Sequence, residues 1–101
     1  MSAGPAVADP ARCTAIKWAT HSDKYTNGAF SFSSNSTPIY RGPYNDCQLV
    51  GAGVAGQGIN VHCFVVNDFF NGYYYVVNTT TGQEGWVRDT ALNGSDYVPT
   101  C

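Results

Sequence analysis

Residues 71–87, NGYYYVVNTTTGQEGWV, decide the fold, because they contain two strand patterns joined by a turn. The segment YYYVVN is rich in aromatic and β-branched residues, TTTGQ is a turn, and EGWV begins the next strand. Since side chains alternate across a strand, Tyr74 and Val76 share one face, and Tyr73 and Tyr75 share the other. The segment therefore predicts strands that carry aromatic rings on both faces of a sheet.

Short strand patterns also occur on both sides of this segment, at intervals of about ten residues. GAFSFSS alternates phenylalanine with small residues, and together with the earlier CTAIKWAT it predicts a hairpin over residues 13–34 that turns at Asn27-Gly28. Further strands are predicted at Ile39-Tyr40, Gln48–Val50, Ile59–Val66 and in DYVPTC up to Pro99, and TALNG predicts one helical or 3₁₀ turn. Because no helix-length amphipathic segment is present, the pattern predicts a small all-β barrel or sandwich.

The composition is typical of one small domain without a nucleic-acid or membrane role. The chain has 101 residues, of which 12% are charged, and its formal net charge is −2. It contains no basic run, so attraction to nucleic acid or to an anionic membrane has little electrostatic support. The longest apolar stretches are too short to cross a bilayer, so we expect no membrane insertion.

The four cysteines, Cys13, Cys47, Cys63 and Cys101, indicate an oxidising compartment. Their number is even, and no Cys-x-x-Cys spacing occurs, which argues against a zinc site or a thioredoxin-like pair. Residues 1–12 read as a disordered lead-in without an apolar signal-peptide core, so we expect that a signal has been removed. These features predict a secreted, disulfide-bonded protein, and the residues alone leave all three pairings open.

Residues 37–92 resemble a bacterial SH3-like domain of the secreted actinobacterial type. The resemblance rests on PIYRGPYNDCQLVG before a short strand, AGQGINVHC at the strand that enters the barrel, and NGYYYVVNTTTGQEGWVRDTAL at the closing hairpin. It implies a small, partly open five-stranded barrel, to which residues 13–36 add an N-terminal extension and residues 93–101 a C-terminal strand. Members of the family serve as wall-targeting, structural or protein-binding units, so the resemblance does not imply one function.

The resemblance also implies a disulfide pairing. It places Cys47 and Cys63 on neighbouring strands, so these two are expected to pair. Cys13 and Cys101 would then join the added hairpin to the C-terminal strand. The alternative is Cys13–Cys47 together with Cys63–Cys101.

The resemblance further implies that Tyr74 and Val76 point into the barrel, which leaves Tyr73 and Tyr75 on the outside and Trp86 at least half exposed. Partly exposed rings suit sugar faces, extended peptides and proline ridges. The first interpretation is therefore a shallow ligand-binding groove, formed by Tyr40, Tyr44, Tyr73, Tyr75 and Trp86.

Two other interpretations remain open for these rings. The added hairpin, with Trp18, Phe30 and Phe32, could pack across them, or oligomerisation could cover them. A separate feature is the pair Phe69 and Phe70 at the end of a predicted hairpin. Two adjacent phenylalanines cannot both point inward from a tight loop, so we expect at least one to be exposed as a partner contact.

Catalysis is not predicted by any set of residues. A Cys-His nucleophile pair would need a free thiol, and His62 and Cys63 point to opposite faces of one predicted strand. Most acidic residues lie beside turn residues, where aspartate has ordinary turn roles. The glycines of GAGVAGQG do not precede a helix-forming stretch, so no phosphate-binding helix N-terminus is expected. The sequence therefore predicts a protein that is not an enzyme and holds no cofactor or metal.

Together these observations predict a secreted, non-catalytic binding module. The family resemblance makes cell-wall peptidoglycan the first expected ligand. The alternative is a secreted inhibitor or effector that docks one protein partner, and the added hairpin and the DFFNG segment favour it, because a simple wall anchor needs neither.

Overall fold

The computed structural model describes Cys13, residues 29–95 and residues 97–101. These residues form an all-β structure of two antiparallel sheets, which confirms the predicted fold class. The strands are β1 (Phe30–Phe32), β2 (Thr37–Tyr40), β3 (Leu49–Gly53), β4 (Ile59–Val66), β5 (Gly72–Asn78), β6 (Glu84–Arg88) and β7 (Leu92–Gly94). A 3₁₀ turn at Asp89–Ala91 overlaps the start of TALNG (residues 90–94), where one helical or 3₁₀ turn is predicted. Within these residues, no helix is long and apolar enough to span a membrane.

The larger sheet has the strand order β3-β2-β6-β5-β4 and is open rather than closed. Consecutive strands β4, β5 and β6 pair as antiparallel neighbours, as the turn signals predict. The small sheet consists of β1 and β7, so Phe30–Phe32 pairs with the segment after the 3₁₀ turn. The proposed partner strand with Ile16 and Trp18 lies outside the described residues, as does the lead-in over residues 1–12.

The larger sheet carries a cluster of buried residues on each of its two faces. One face carries a mixed apolar core, which we define as Phe30, Phe32, Ile39, Ile59, Val61, Val76, Val87 and Leu92. The other face carries an aromatic core, which consists of Cys63, Tyr73, Tyr75 and Trp86. A β-bulge between Val61 and Cys63 changes the alternation of β4, so that these two residues contribute to opposite cores. The inward position of Val76 is confirmed, and Tyr74 packs half-buried against the same core.

The expected disulfide pairing is wrong, and the alternative is correct. Cys13 joins Cys47, with Cα atoms 5.7 Å apart, and Cys63 joins Cys101, with Cα atoms 4.9 Å apart. The physical reason is the strand order, because β3 and β4 are consecutive in the chain but lie at opposite ends of the sheet. Cys47 precedes β3 and Cys63 lies within β4, so the two are not on neighbouring strands.

The C-terminal segment does not form the predicted edge strand. It contacts β4 through a single parallel bridge between Phe64 and Thr100. The amide of Phe64 donates to the carbonyl of Pro99, and the amide of Cys101 donates to the carbonyl of Phe64, both at 2.9 Å. This segment, fastened by the Cys63–Cys101 disulfide, occupies the outer edge of β4 at this point.

Candidate functional site

Most of the predicted ligand groove is buried. The exposed fractions of Tyr73, Tyr75 and Trp86 are 1%, 4% and 2%, so their predicted exposure is wrong. Tyr40 packs half-buried against this aromatic core, and the ring of Tyr44 contacts Phe69. The five residues therefore do not form one open surface.

The rings are covered by other parts of the chain on the same side of the sheet. Cys101 packs on the aromatic core through its disulfide to Cys63, and the guanidinium of Arg88 lies 5.9 Å from the centre of the Tyr73 ring. The interpretation that Phe30 and Phe32 cover Tyr73 and Tyr75 is also wrong, because both phenylalanines pack in the mixed apolar core on the opposite face. Trp18 lies outside the described residues.

Hydrogen bonding and burial make the tyrosines of β5 structural rather than reactive. The hydroxyl of Tyr75 donates to Oε1 of Glu84 at 2.7 Å, and its ring meets Trp86 edge-on, with ring centres 5.2 Å apart. Burial raises the pKa of Tyr75, and the hydrogen bond and negative charge of Glu84 raise it further. Burial also raises the pKa values of Tyr73 and Tyr74. These hydroxyls therefore stay protonated at neutral pH.

An open apolar surface lies at the hairpin between β4 and β5, where the two most exposed phenylalanines of the described residues are found. Phe69 is 59% exposed and Phe70 is 88% exposed, which confirms the expectation that at least one phenylalanine points to solvent. Val66 at the end of β4 is also exposed. The Tyr44 ring meets Phe69 nearly at right angles, with centres 6.0 Å apart. We call these four residues the tip surface.

The backbone of the hairpin is held by the buried side chain of Asn67. Its Oδ1 accepts hydrogen bonds from the amides of Phe69 (2.9 Å) and Asn71 (3.1 Å), and its Nδ2 donates to the carbonyl of Pro43 at 2.8 Å. This joins the tip to the loop between β2 and β3, which carries Tyr44. Sequence analysis did not identify Asn67, although asparagine at the start of a turn commonly bonds to amides just ahead of it.

The turn itself differs from the expected Asn-Gly type. Gly72 belongs to β5, and the residue with a left-handed backbone is Phe70, at φ 64°. Asn71 instead accepts a hydrogen bond from Nη2 of Arg88 at 2.9 Å, and Nε of Arg88 lies 3.6 Å from Oδ1 of Asp89. Both ends of the tip are therefore fixed, one by Asn67 and the other by Arg88.

No metal centre is formed by the described residues, since they contain no group of three or more His, Cys, Asp or Glu side chains that could hold an ion. A search of protein-family models finds no match to the chain, and comparisons with curated proteins and with solved structures find none either. The tip surface is therefore the candidate functional site on its geometry alone.

Proposed function

We propose that this chain is an extracellular, non-catalytic binding module that docks one protein partner through the tip surface. The observation that carries the proposal is Phe70, whose ring is 88% exposed on a backbone with φ 64°. A left-handed backbone costs a bulky residue about 1–2 kcal/mol relative to glycine. Glycine or asparagine would adopt this backbone conformation with less strain. Folding therefore does not explain the phenylalanine ring, whereas contact with a partner does.

The fixed geometry of the hairpin supports binding of this kind. Binding loses less conformational entropy when the contact residues are already ordered in the free protein. The hydrogen bonds of Asn67 and the contact of Tyr44 with Phe69 order the tip before any partner arrives. Aromatic anchors that enter a pocket on the partner commonly supply most of the affinity of a protein interface.

The charge near the tip indicates the chemistry of the partner. Asp68 is exposed between the end of β4 and the two phenylalanines, and no salt bridge joins it to another described residue. A carboxylate at the rim favours a partner with basic residues around an apolar pocket. The structure gives peptidoglycan binding less support than the sequence does, because three rings of the expected ligand-binding groove are buried.

The location outside the cell is supported by the two disulfides, which persist in oxidising compartments. A relationship to bacterial SH3-like domains is also part of the proposal. It is supported by the sequence motifs and by the five short antiparallel strands between Thr37 and Arg88.

The proposal predicts that Phe70→Asn removes binding without harming the fold. Asparagine tolerates a left-handed backbone, so the variant should be as stable as the wild type or more stable. A photoreactive phenylalanine analogue in place of Phe70 would first crosslink the partner from the producing organism's culture fluid. The dissociation constant for that purified partner should then rise about 30-fold or more in Phe70→Asn, which is the effect of losing an interface hot spot.

Tyr97→Ala is the matched control, because Tyr97 is an exposed aromatic residue on the C-terminal segment, outside the tip surface. Its affinity for the partner should equal that of the wild type. Equal affinity of Phe70→Asn and the wild type would contradict the proposal. Retention of both proteins on purified peptidoglycan, with no crosslinked protein, would favour the wall-binding alternative instead.

A further inference from the structure

The tip surface rests on the loop between β2 and β3 (residues 41–48), which we call the support loop. Pro43 lies fully buried in this loop, and its carbonyl accepts the hydrogen bond from Nδ2 of Asn67 at 2.8 Å. The next residue, Tyr44, places its ring against the ring of Phe69. Two adjacent residues of the support loop therefore hold the tip, one through a backbone carbonyl and the other through an aromatic ring.

The support loop is itself fixed by hydrogen bonds and by a disulfide. The amide of Arg41 donates to the carbonyl of Gln48 at 2.7 Å, which closes the base of the loop. The amide of Cys47 donates to the carbonyl of Tyr44 at 3.1 Å, and the sulfur of Cys47 is bonded to Cys13. Both cysteines are buried, so the disulfide is a permanent anchor for the loop.

At Gly42 the support loop lies directly against the backbone of Cys13. A Cβ on Gly42 would overlap the Cα of Cys13 and lie 2.7 Å from its carbonyl oxygen. These backbone atoms cannot turn aside as a flexible side chain can, because Cys13 is held by its bond to Cys47. A larger residue at position 42 therefore fits only if the loop moves. Since Pro43 follows directly, such a movement would shift the carbonyl to which Asn67 donates.

We infer that Gly42 and the Cys13–Cys47 disulfide are positioning residues for the tip surface. All three residues are buried, so they set the geometry of the tip without touching the partner. The inference rests on the proposed function, because it assigns the support of the same site. A tip held in one geometry is competent to bind in every molecule. A tip that moves is competent in only a fraction of them, and the apparent dissociation constant rises by the inverse of that fraction.

The first test is the binding kinetics of Gly42→Ala with the partner that is crosslinked through position 70. The association rate constant should fall about threefold or more, because fewer molecules present an ordered tip. The dissociation rate constant should stay that of the wild type, whereas Phe70→Asn, which loses a direct contact, should raise it. Gly51→Ala is the matched control, because its Cβ would meet the flexible end of the Gln83 side chain, and it should bind like the wild type.

Amide hydrogen exchange in the free protein gives a second readout, which needs no partner. In Gly42→Ala, the amide of Phe69 should exchange faster, because its bond to Asn67 depends on the support loop. The amide of Thr80 makes the corresponding bond to Asn78 in the other turn, also at 2.9 Å, and should keep its wild-type rate. A general loss of stability would accelerate both amides.

Each outcome decides the inference. Unchanged exchange at Phe69 in Gly42→Ala would overturn it, and so would equal acceleration at Thr80 or a change in the dissociation rate constant alone. If Gly42→Ala does not fold, the wild type decides: the amides of Phe69 and Cys47 should open together as urea is added, and separate openings would reject the support role. Failure of the proposed function is distinguishable, because Phe70→Asn would then bind like the wild type while the exchange result stands.

Discussion

Two buried asparagines shape the two turns of the β4–β5–β6 meander. Asn67 organises the tip, and Asn78 does the same at the next turn, where its Oδ1 accepts from the amides of Thr80 (2.9 Å) and Thr81 (3.2 Å). The Nδ2 of each asparagine donates to a different loop, to Pro43 in one case and to Gln57 in the other. Each side chain thus satisfies turn amides and also fixes the turn against a neighbouring segment.

Substitution of Asn67 by alanine should lower the stability of the protein. The change removes three hydrogen bonds in a buried site, so the free energy of unfolding should fall by about 2–4 kcal/mol in urea titrations. Binding of the partner should also weaken, although Asn67 is buried, because the tip loses its order. Asn45→Ala, an exposed asparagine in the β2–β3 loop, is the control and should change neither quantity. Unchanged amide exchange at Phe69 in Asn67→Ala would contradict the assigned role.

At the scale of elements, the small sheet depends on a close approach of two backbones. Gly94 in β7 has φ 106° and lies opposite Phe30 in β1. A Cβ at this position would overlap the carbonyl oxygen of Ala29. Gly94 is thus constrained twice, by its backbone conformation and by the space available.

A comparison of two glycines separates these constraints. Gly82 also has a positive φ, 82°, but a Cβ there would meet no atom within 4 Å. Gly82→Ala should therefore cost only the conformational term, about 1 kcal/mol, whereas Gly94→Ala should cost about 3 kcal/mol. The free energies of unfolding from chemical denaturation check both values. Equal costs would show that β1 and β7 do not approach as closely as described.

Element positions were predictable from the sequence, but element partners were not. The strand Ile59–Val66 has the bounds predicted, because β-branched residues and flanking turn signals mark it clearly. The disulfide pairing could not be derived, because it follows from the strand order, and the pattern of each strand says nothing about its neighbours. The bulge in β4 was equally hidden, since alternation gives no sign of one extra residue.

Taken together, the described residues form a small open sheet with a core on each face. The sequence predicts which rings share a face, and this is correct for Tyr73 and Tyr75. It could not predict that both faces are covered, because YYYVV carries large side chains on both sides and fits either a groove or a second core. The exposure of at least one of Phe69 and Phe70 was predictable, because a short hairpin loop has no interior that could bury both, and the structure exposes both.

The buried tyrosines predict a loss of stability in alkali. An unfolded tyrosine ionises near pH 10, whereas burial raises the pKa values of Tyr73, Tyr74 and Tyr75 in the fold. Above about pH 10 the unfolded chain therefore holds fewer protons than the folded one, so stability is complete below this pH and falls as the pH rises beyond it.

Urea unfolding at a series of alkaline pH values checks this prediction. The slope of stability against pH should become shallower in Tyr75→Phe, which has no hydroxyl to ionise, whatever the effect of the lost bond to Glu84 at neutral pH. Tyr97→Phe, which removes an exposed tyrosine, is the control and should keep the slope of the wild type. An identical slope in Tyr75→Phe would show that this hydroxyl is not shielded from water.

The Cys63–Cys101 bond has a consequence for how far association can proceed. Fibril-like growth requires each molecule to offer two open sides, and here the terminal residues are covalently fastened along one of them. While the bond is closed, the outer edge of β4 at Phe64 is covered and cannot add a strand from another molecule at this point. Reduction of this single bond would release the cover and open this edge to pairing with another extended strand.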